Sequence, residues 1–100
     1  MDRLVNLTLI NEVVTESDIG EPVVTETATK IRGMLESVTR DEWFSAYKTD
    51  INAKHRITVY DFEYSNQKIA ELNGERYAIY RTYFKDGNRI ELYLGEKGGI

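Results

Sequence analysis

"LNGERYAIYRTYFKDGNRIELYL", Leu72 to Leu94, decides the fold class. Asn73-Gly74 and Asp86-Gly87 are dipeptides that favour tight hairpin turns, because both central residues of such a turn take positive φ. Between them Tyr77, Ile79, Arg81 and Tyr83 alternate with Ala78, Tyr80, Thr82 and Phe84, the period of a two-faced strand. After the second dipeptide Ile90, Leu92 and Leu94 share one side. The stretch is an antiparallel meander.

The same reading extends in both directions. In "RLVNLTLINEVV" Val5, Leu7 and Leu9 fall on one face of a strand. "TESDIGEPVV" holds Gly20 and the single proline, Pro22, and reads as a turn. "VVTETATKIRGMLESV" reads as a long strand with Thr27, Thr29, Ile31, Gly33 and Leu35 on one side, and Gly33 marks a bulge or a bend where a sheet curls. In "HRITVYDFEYS" Ile57 and Val59 share one phase, and Tyr60, Phe62 and Tyr64 the other. Strand signals at this spacing predict a mainly β protein: one domain over residues 1–100, a small β-barrel of about six strands. The tail 95–100, "GEKGGI", reads as flexible.

One segment breaks the pattern. "TRDEWFSAYKTD" has helical rather than alternating spacing and opens with a capping box, Thr39-x-x-Glu42. Asp41 and Glu42 suit the positive end of a helix and Lys48 the other end. A short helix is predicted over about residues 40–48. Its aromatics Trp43, Phe44 and Tyr47, together with Tyr80 and Tyr83 of the meander, are candidate core or interface anchors.

Composition narrows the function classes. The net charge is −4 and no Lys/Arg run exceeds two, unlike a free-standing nucleic-acid binder. There is no cysteine, which excludes disulfides and thiolate metal sites. No apolar stretch approaches membrane-spanning length, so no membrane partner is expected. "MDRLVNLTLINE" lacks the basic start and apolar block of a signal peptide, and the expectation is use without secretion by that route. His55 stands alone, without the partner spacing of a ligand or a general base. Asp61 and Glu63, two apart on one strand face, form a carboxylate pair with nothing nearby to complete a site. Ser17, Ser37, Ser45 and Ser65 lack nucleophile-elbow glycines. No catalytic residue, metal or cofactor is predicted.

The order of elements from Ile57 to Leu94 resembles the head closure, or head–tail adaptor, proteins of long-tailed bacteriophages and prophages. The matching elements are Asp61-Phe62-Glu63-Tyr64, Leu72-Asn73-Gly74 followed by Tyr77, Tyr80-Arg81-Thr82-Tyr83 and Ile90-Glu91-Leu92-Tyr93. Upstream, Glu42, Trp43, Phe44 and Ala46 match the helix of that family. The likeness spans roughly Thr27 to Lys97. The chain departs from the pattern at Tyr47, where the family often has glycine, and at Ala53-Lys54, where it often has Lys-Pro.

The resemblance implies a structural virion protein, not an enzyme. It implies a ring of copies, hexamer or dodecamer, contacting portal or adaptor proteins and tail proteins, with DNA passing through its channel without specific binding. The alternative within that class is a tail-side connector or tail completion protein. The segment Thr49, Asp50, Ile51, Asn52, Ala53 and Lys54 is then the candidate channel loop, expected to be mobile in an isolated subunit. The implied location is the virion, with the host cytoplasm during assembly.

Overall fold

A computed structural model describes residues 3–97. Six antiparallel strands close into a barrel in the order β1-β2-β3-β6-β5-β4. They are β1 (Arg3–Glu16), β2 (Pro22–Glu36), β3 (Ile51–Tyr60), β4 (Ile69–Leu72), β5 (Glu75–Phe84) and β6 (Arg89–Lys97). Helix α1 (Arg40–Tyr47) joins β2 to β3. The barrel and the short helix are those expected from the sequence.

The core is built from the inward side of every strand. Leu7 and Leu9 of β1, Ile31 of β2, Ile57 and Val59 of β3, Ala70 and Leu72 of β4, Tyr77 and Ile79 of β5, and Ile90, Leu92 and Leu94 of β6 form one buried cluster. Burying a side chain of this size contributes about 1.5–3 kcal/mol. The ring is closed by only three residue pairs between β1 and β4: Thr8 with Glu71, Leu9 with Ala70 and Ile10 with Ile69.

Two bulges bend the sheet into a barrel, and neither is at Gly33. The β1–β2 register runs unbroken from Arg3 opposite Leu35 to Glu16 opposite Pro22. Gly33 is required by space instead: a Cβ there would stand 2.5 Å from Ile57 Cγ2 and 2.9 Å from Val59 Cγ1. The register shifts lie between Ala53 and His55 of β3 and between Ile79 and Arg81 of β5. Both interrupt pairing beside Leu94, so Lys54 and Tyr80 are the extra residues. The β5 bulge overturns the simple alternation of that strand. Tyr77 and Ile79 point inward, whereas Arg81 pairs with Tyr93 and Tyr83 with Glu91, on the outer face.

Other expectations are corrected locally. Asn73 and Gly74 do take positive φ, 54° and 81°. Asp86 and Gly87 do not. Their turn is held by the Asp86 carboxylate, which accepts from the N–H groups of Asn88 and Arg89 at 3.1 Å each. Asp61 and Glu63 are not on a strand, because β3 ends at Tyr60 and Asp61–Glu63 forms a 3-10 turn. The tail is not loose from residue 95: Gly95, Glu96 and Lys97 pair with Ala53, Asn52 and Ile51. The remainder of the expected tail, 98–100, lies outside the described residues.

That pairing also removes the expected channel loop. Ile51, Asn52, Ala53 and Lys54 belong to β3, and Ala53 is buried. Only Thr49 and Asp50 lie between the helix cap and the strand. Thr49 donates through both N–H (2.9 Å) and Oγ1 (2.8 Å) to the carbonyl of Ala46. Asp50, at φ 61°, takes the left-handed position that ends a helix and that asparagine, aspartate and glycine tolerate best. A two-residue turn pinned in this way is too short to form the expected channel loop.

The molecule is not round. Its extents are 50 × 32 × 25 Å and its radius of gyration is 14.9 Å, against about 13 Å for a compact chain of this length. The excess is the β1–β2 hairpin. Past Ile10, β1 has no partner but β2, and past Thr27 toward the turn β2 has none but β1. Residues 11–27 form a two-stranded arm that leaves the barrel.

Candidate functional site

Three surfaces carry side chains that packing of the barrel does not explain. The first is the outer face of β2, β3, β6 and β5, crossed by a chain of charged contacts. Thr58 Oγ1 donates to Glu36, and Arg56 reaches Glu36 at 3.0 Å and Glu91 at 3.5 Å. Tyr93 donates to Glu91 at 3.0 Å, and the Arg81 guanidinium lies 4.5 Å above the Tyr93 ring. Arg81 then pairs with Glu42 of α1, which also accepts from the Tyr80 hydroxyl at 2.8 Å. Glu42 and Glu91 are buried, at 8% and 6% exposure.

Electrostatics follow from these contacts. Burial works against the charged form of Glu36, but the Thr58 hydrogen bond and the cations Arg56 and Lys85 outweigh it and hold its pKa below the ordinary value. Burial and the bond to Glu42 push the Tyr80 hydroxyl far above its ordinary pKa, so it remains a donor. Tyr93 is raised in the same way by burial and by Glu91. The network is ionic and fastens the helix to the barrel, and within it the buried Nε of Arg56 has no hydrogen-bond partner among the described residues.

Half of the capping box forms. Thr39 Oγ1 accepts from the Glu42 N–H at 3.2 Å, with Thr39 in extended geometry. The Glu42 side chain does not complete the reciprocal bond; its carboxylate serves Tyr80 and Arg81. Glu42 and Ala46, four residues apart, are the buried positions of the helix.

The second surface is therefore the opposite side of α1. Trp43, Phe44 and Tyr47 are 39%, 52% and 65% exposed. The Trp43 and Tyr47 rings stack at 5.4 Å, and Phe44 meets Trp43 edge-on at 5.2 Å. These residues are not core anchors, because the helix turns its small residue and its carboxylate toward the sheet. Tyr80 is half-buried under the helix, while Tyr83 stands apart on β5 at 59% exposure. The structure thus joins Tyr80 to α1 and leaves Tyr83 outside that group.

The third surface is the arm, which reading of the sequence did not single out. Val14, Ile19 and Val24 are 65%, 79% and 56% exposed, with Val13 and Val23 beside them. The turn at its tip is ordered: Ser17 N–H donates to the Glu21 carbonyl at 2.8 Å, and Ser17 Oγ accepts from Glu21 N–H at 3.1 Å. At its base Arg76 clasps Glu26 with two bonds of 2.8 and 3.0 Å. One signal of the arm was legible. Residues 11–29 hold five acids, Glu12, Glu16, Asp18, Glu21 and Glu26, and no Lys, Arg or His.

His55 lies on β3. It meets the Tyr77 ring edge-on at 5.1 Å, and burial, with Lys54 nearby, lowers its pKa. Among the described residues no three His, Cys, Asp or Glu side chains are grouped to hold a metal.

Comparison with known proteins returned no matching family model, no matching curated protein and no matching solved structure. The function is therefore inferred from these surfaces and from the order of the sequence elements.

Proposed function

We propose that this chain is a structural subunit of a bacteriophage head–tail connector. Copies form a ring, hexameric or dodecameric, beneath the portal. The ring closes the DNA-filled head and offers the surface to which the tail attaches. It acts in the virion, is assembled in the host cytoplasm, and has no catalytic step.

The observation that carries this reading is the placement of apolar side chains outside a complete core. An isolated two-stranded hairpin is marginal in water, yet the arm displays Val14, Ile19 and Val24 to solvent. The helix adds a stacked aromatic trio at the surface. Surfaces of this kind fit a subunit with neighbours, whose interface cores are rich in aromatic side chains. The order of elements from Ile57 to Leu94 supplies the particular assembly. An acidic balance suits a ring through which DNA slides without being held.

Electron microscopy of particles made without this protein tests the proposal. Heads that package DNA and then leak it support head closure. Stable full heads beside unattached tails transfer the role to the tail side of the junction. Normal infectious particles overturn both.

A further inference from the structure

The arm and a groove on the barrel lie at opposite ends of the same β1–β2 ladder. The groove, about 450 Å³, is floored by Leu4, Met34 and Tyr60 and rimmed by Arg32, Lys85 and Arg89. Leu4, Met34 and Tyr60 are 52%, 39% and 50% exposed, so this apolar floor is open to solvent. Its one acid, Glu36, is engaged by Arg56, Lys85 and Thr58, and Arg89 pairs with Asp86 at 2.6 Å. The groove is therefore apolar, with Arg32 as its one unpaired cation among the described residues and Lys85 and Arg89 already paired.

The arm has the complementary chemistry. Its tip presents Ile19 between Glu16, Asp18 and Glu21. The arm holds five of the seventeen acidic residues and none of the thirteen Lys and Arg, so the rest of the chain keeps twelve acids against thirteen cations. The chain as a whole is acidic because of the arm.

Geometry selects the occupant. Leu4 opposes Met34 near one end of the ladder and Glu16 opposes Pro22 at the other. At about 3.3 Å per residue these ends are roughly 40 Å apart. A continuous paired ladder cannot fold its tip back onto its own base, so an arm can fill a groove only on another copy. We infer that the arm tip of one copy seats in the Leu4–Met34–Tyr60 groove of the next, with the acids Glu16, Asp18 and Glu21 facing the unpaired Arg32. Such a contact uses two different patches of one surface. It is heterologous, and it closes into a ring if the rotation between copies permits. The inference deepens the ring proposal and rests on it only in taking a second copy as the partner.

Because the chain has no cysteine, directed disulfides test the contact. Ile19→Cys and Met34→Cys are made separately, mixed at high protein concentration and low salt, and oxidised. The expected product is a covalent pair that forms in the mixture at least severalfold above either variant alone. Adding Arg32→Glu to the Met34→Cys protein should suppress it, and adding Glu16→Lys to the Ile19→Cys partner should restore it. Arg32 forms no ion pair among the described residues and is exposed, so its reversal leaves the fold intact, as a thermal melt checks. A mixture that yields no more covalent pair than the single variants overturns the contact. So does a pair that forms equally well with Arg32→Glu. Either result leaves the electron-microscopic test of the connector role standing, because that test does not depend on how copies touch.

Discussion

The two halves of the β1–β2 ladder have the same backbone and opposite environments. Leu9 and Val13 lie four residues apart on one face of β1. Leu9 is fully buried and Val13 is 43% exposed. Both sit in an unbroken antiparallel register with β2, Leu9 opposite Thr29 and Val13 opposite Thr25. The difference is the company of other strands. Near Leu9, β4 pairs with β1 and the barrel core lies beneath. Near Val13 there is only the partner strand. Hydrogen bonding makes a ladder, but burial depends on what covers it.

Substitution along one face puts the comparison at risk most directly. Leu9→Ala should cost about 2–5 kcal/mol, the usual range for a buried leucine, and lower the melting temperature by roughly 10 °C or more. Val13→Ala should change monomer stability by no more than about 0.5 kcal/mol. Chemical denaturation of the two variants decides. Equal losses would mean that the arm is packed in solution.

A subtler contrast sits on β2, where Gly33 and Thr25 share a face. Gly33→Val forces atoms onto Ile57 and Val59, and overpacking of this kind costs about 1–3 kcal/mol. Thr25→Val meets no core and should be nearly neutral. If Gly33→Val melts like the parent protein, the close approach to β3 is not a constraint.

Amide hydrogen exchange sharpens the same boundary without mutation. Amides of β1 up to Ile10 should exchange only through global unfolding. Those of 11–16 and 22–27 should open locally at lower free energy. On assembly, protection should rise in the arm. Uniform protection of both halves in the monomer would contradict the division.

Acid distinguishes the halves by a smaller effect. His55, packed on Tyr77 in the barrel, has a folded pKa below its ordinary 6.5. The folded state then binds fewer protons than the unfolded chain as pH falls through and below 6.5. Stability is complete above that value and declines on acidification until the folded pKa is passed. His55→Gln should remove this part of the pH profile. Glu36, depressed below 4.5 by Thr58, Arg56 and Lys85, adds a second loss at lower pH. The arm should contribute little to either step, since Glu26, whose pKa Arg76 lowers, is exposed. A pH profile unchanged by His55→Gln would place His55 outside the packed body.

Local features of the sequence were read correctly where their cause was local. Val5, Leu7 and Leu9, the Asn73-Gly74 turn and the Thr39 cap each depend on a few neighbouring residues. The misreadings share a different cause. Arg81 and Tyr83 were placed on one face with Tyr77 and Ile79 because nothing near Tyr80 announces an unpaired residue; the bulge exists only against β6. Residues 51–54 looked like a loop because their partner strand, β6, lies more than forty positions away. Glu42 looked like half of a capping box and proved to be the receptor for Tyr80 and Arg81.

Thus the sequence alone determined a six-stranded, mainly β chain, its turns and its one helix, since side-chain period and turn chemistry act over short range. Tertiary structure decided where the barrel closes, which way the β5 side chains turn past Tyr80, and that the arm stands free. The reason is a mismatch in length. β1 and β2 run 14 and 15 residues while β4, which closes the ring on β1, has four. The surplus of the long hairpin has no strand to cover it. That surplus becomes visible only when elements distant in sequence are set side by side.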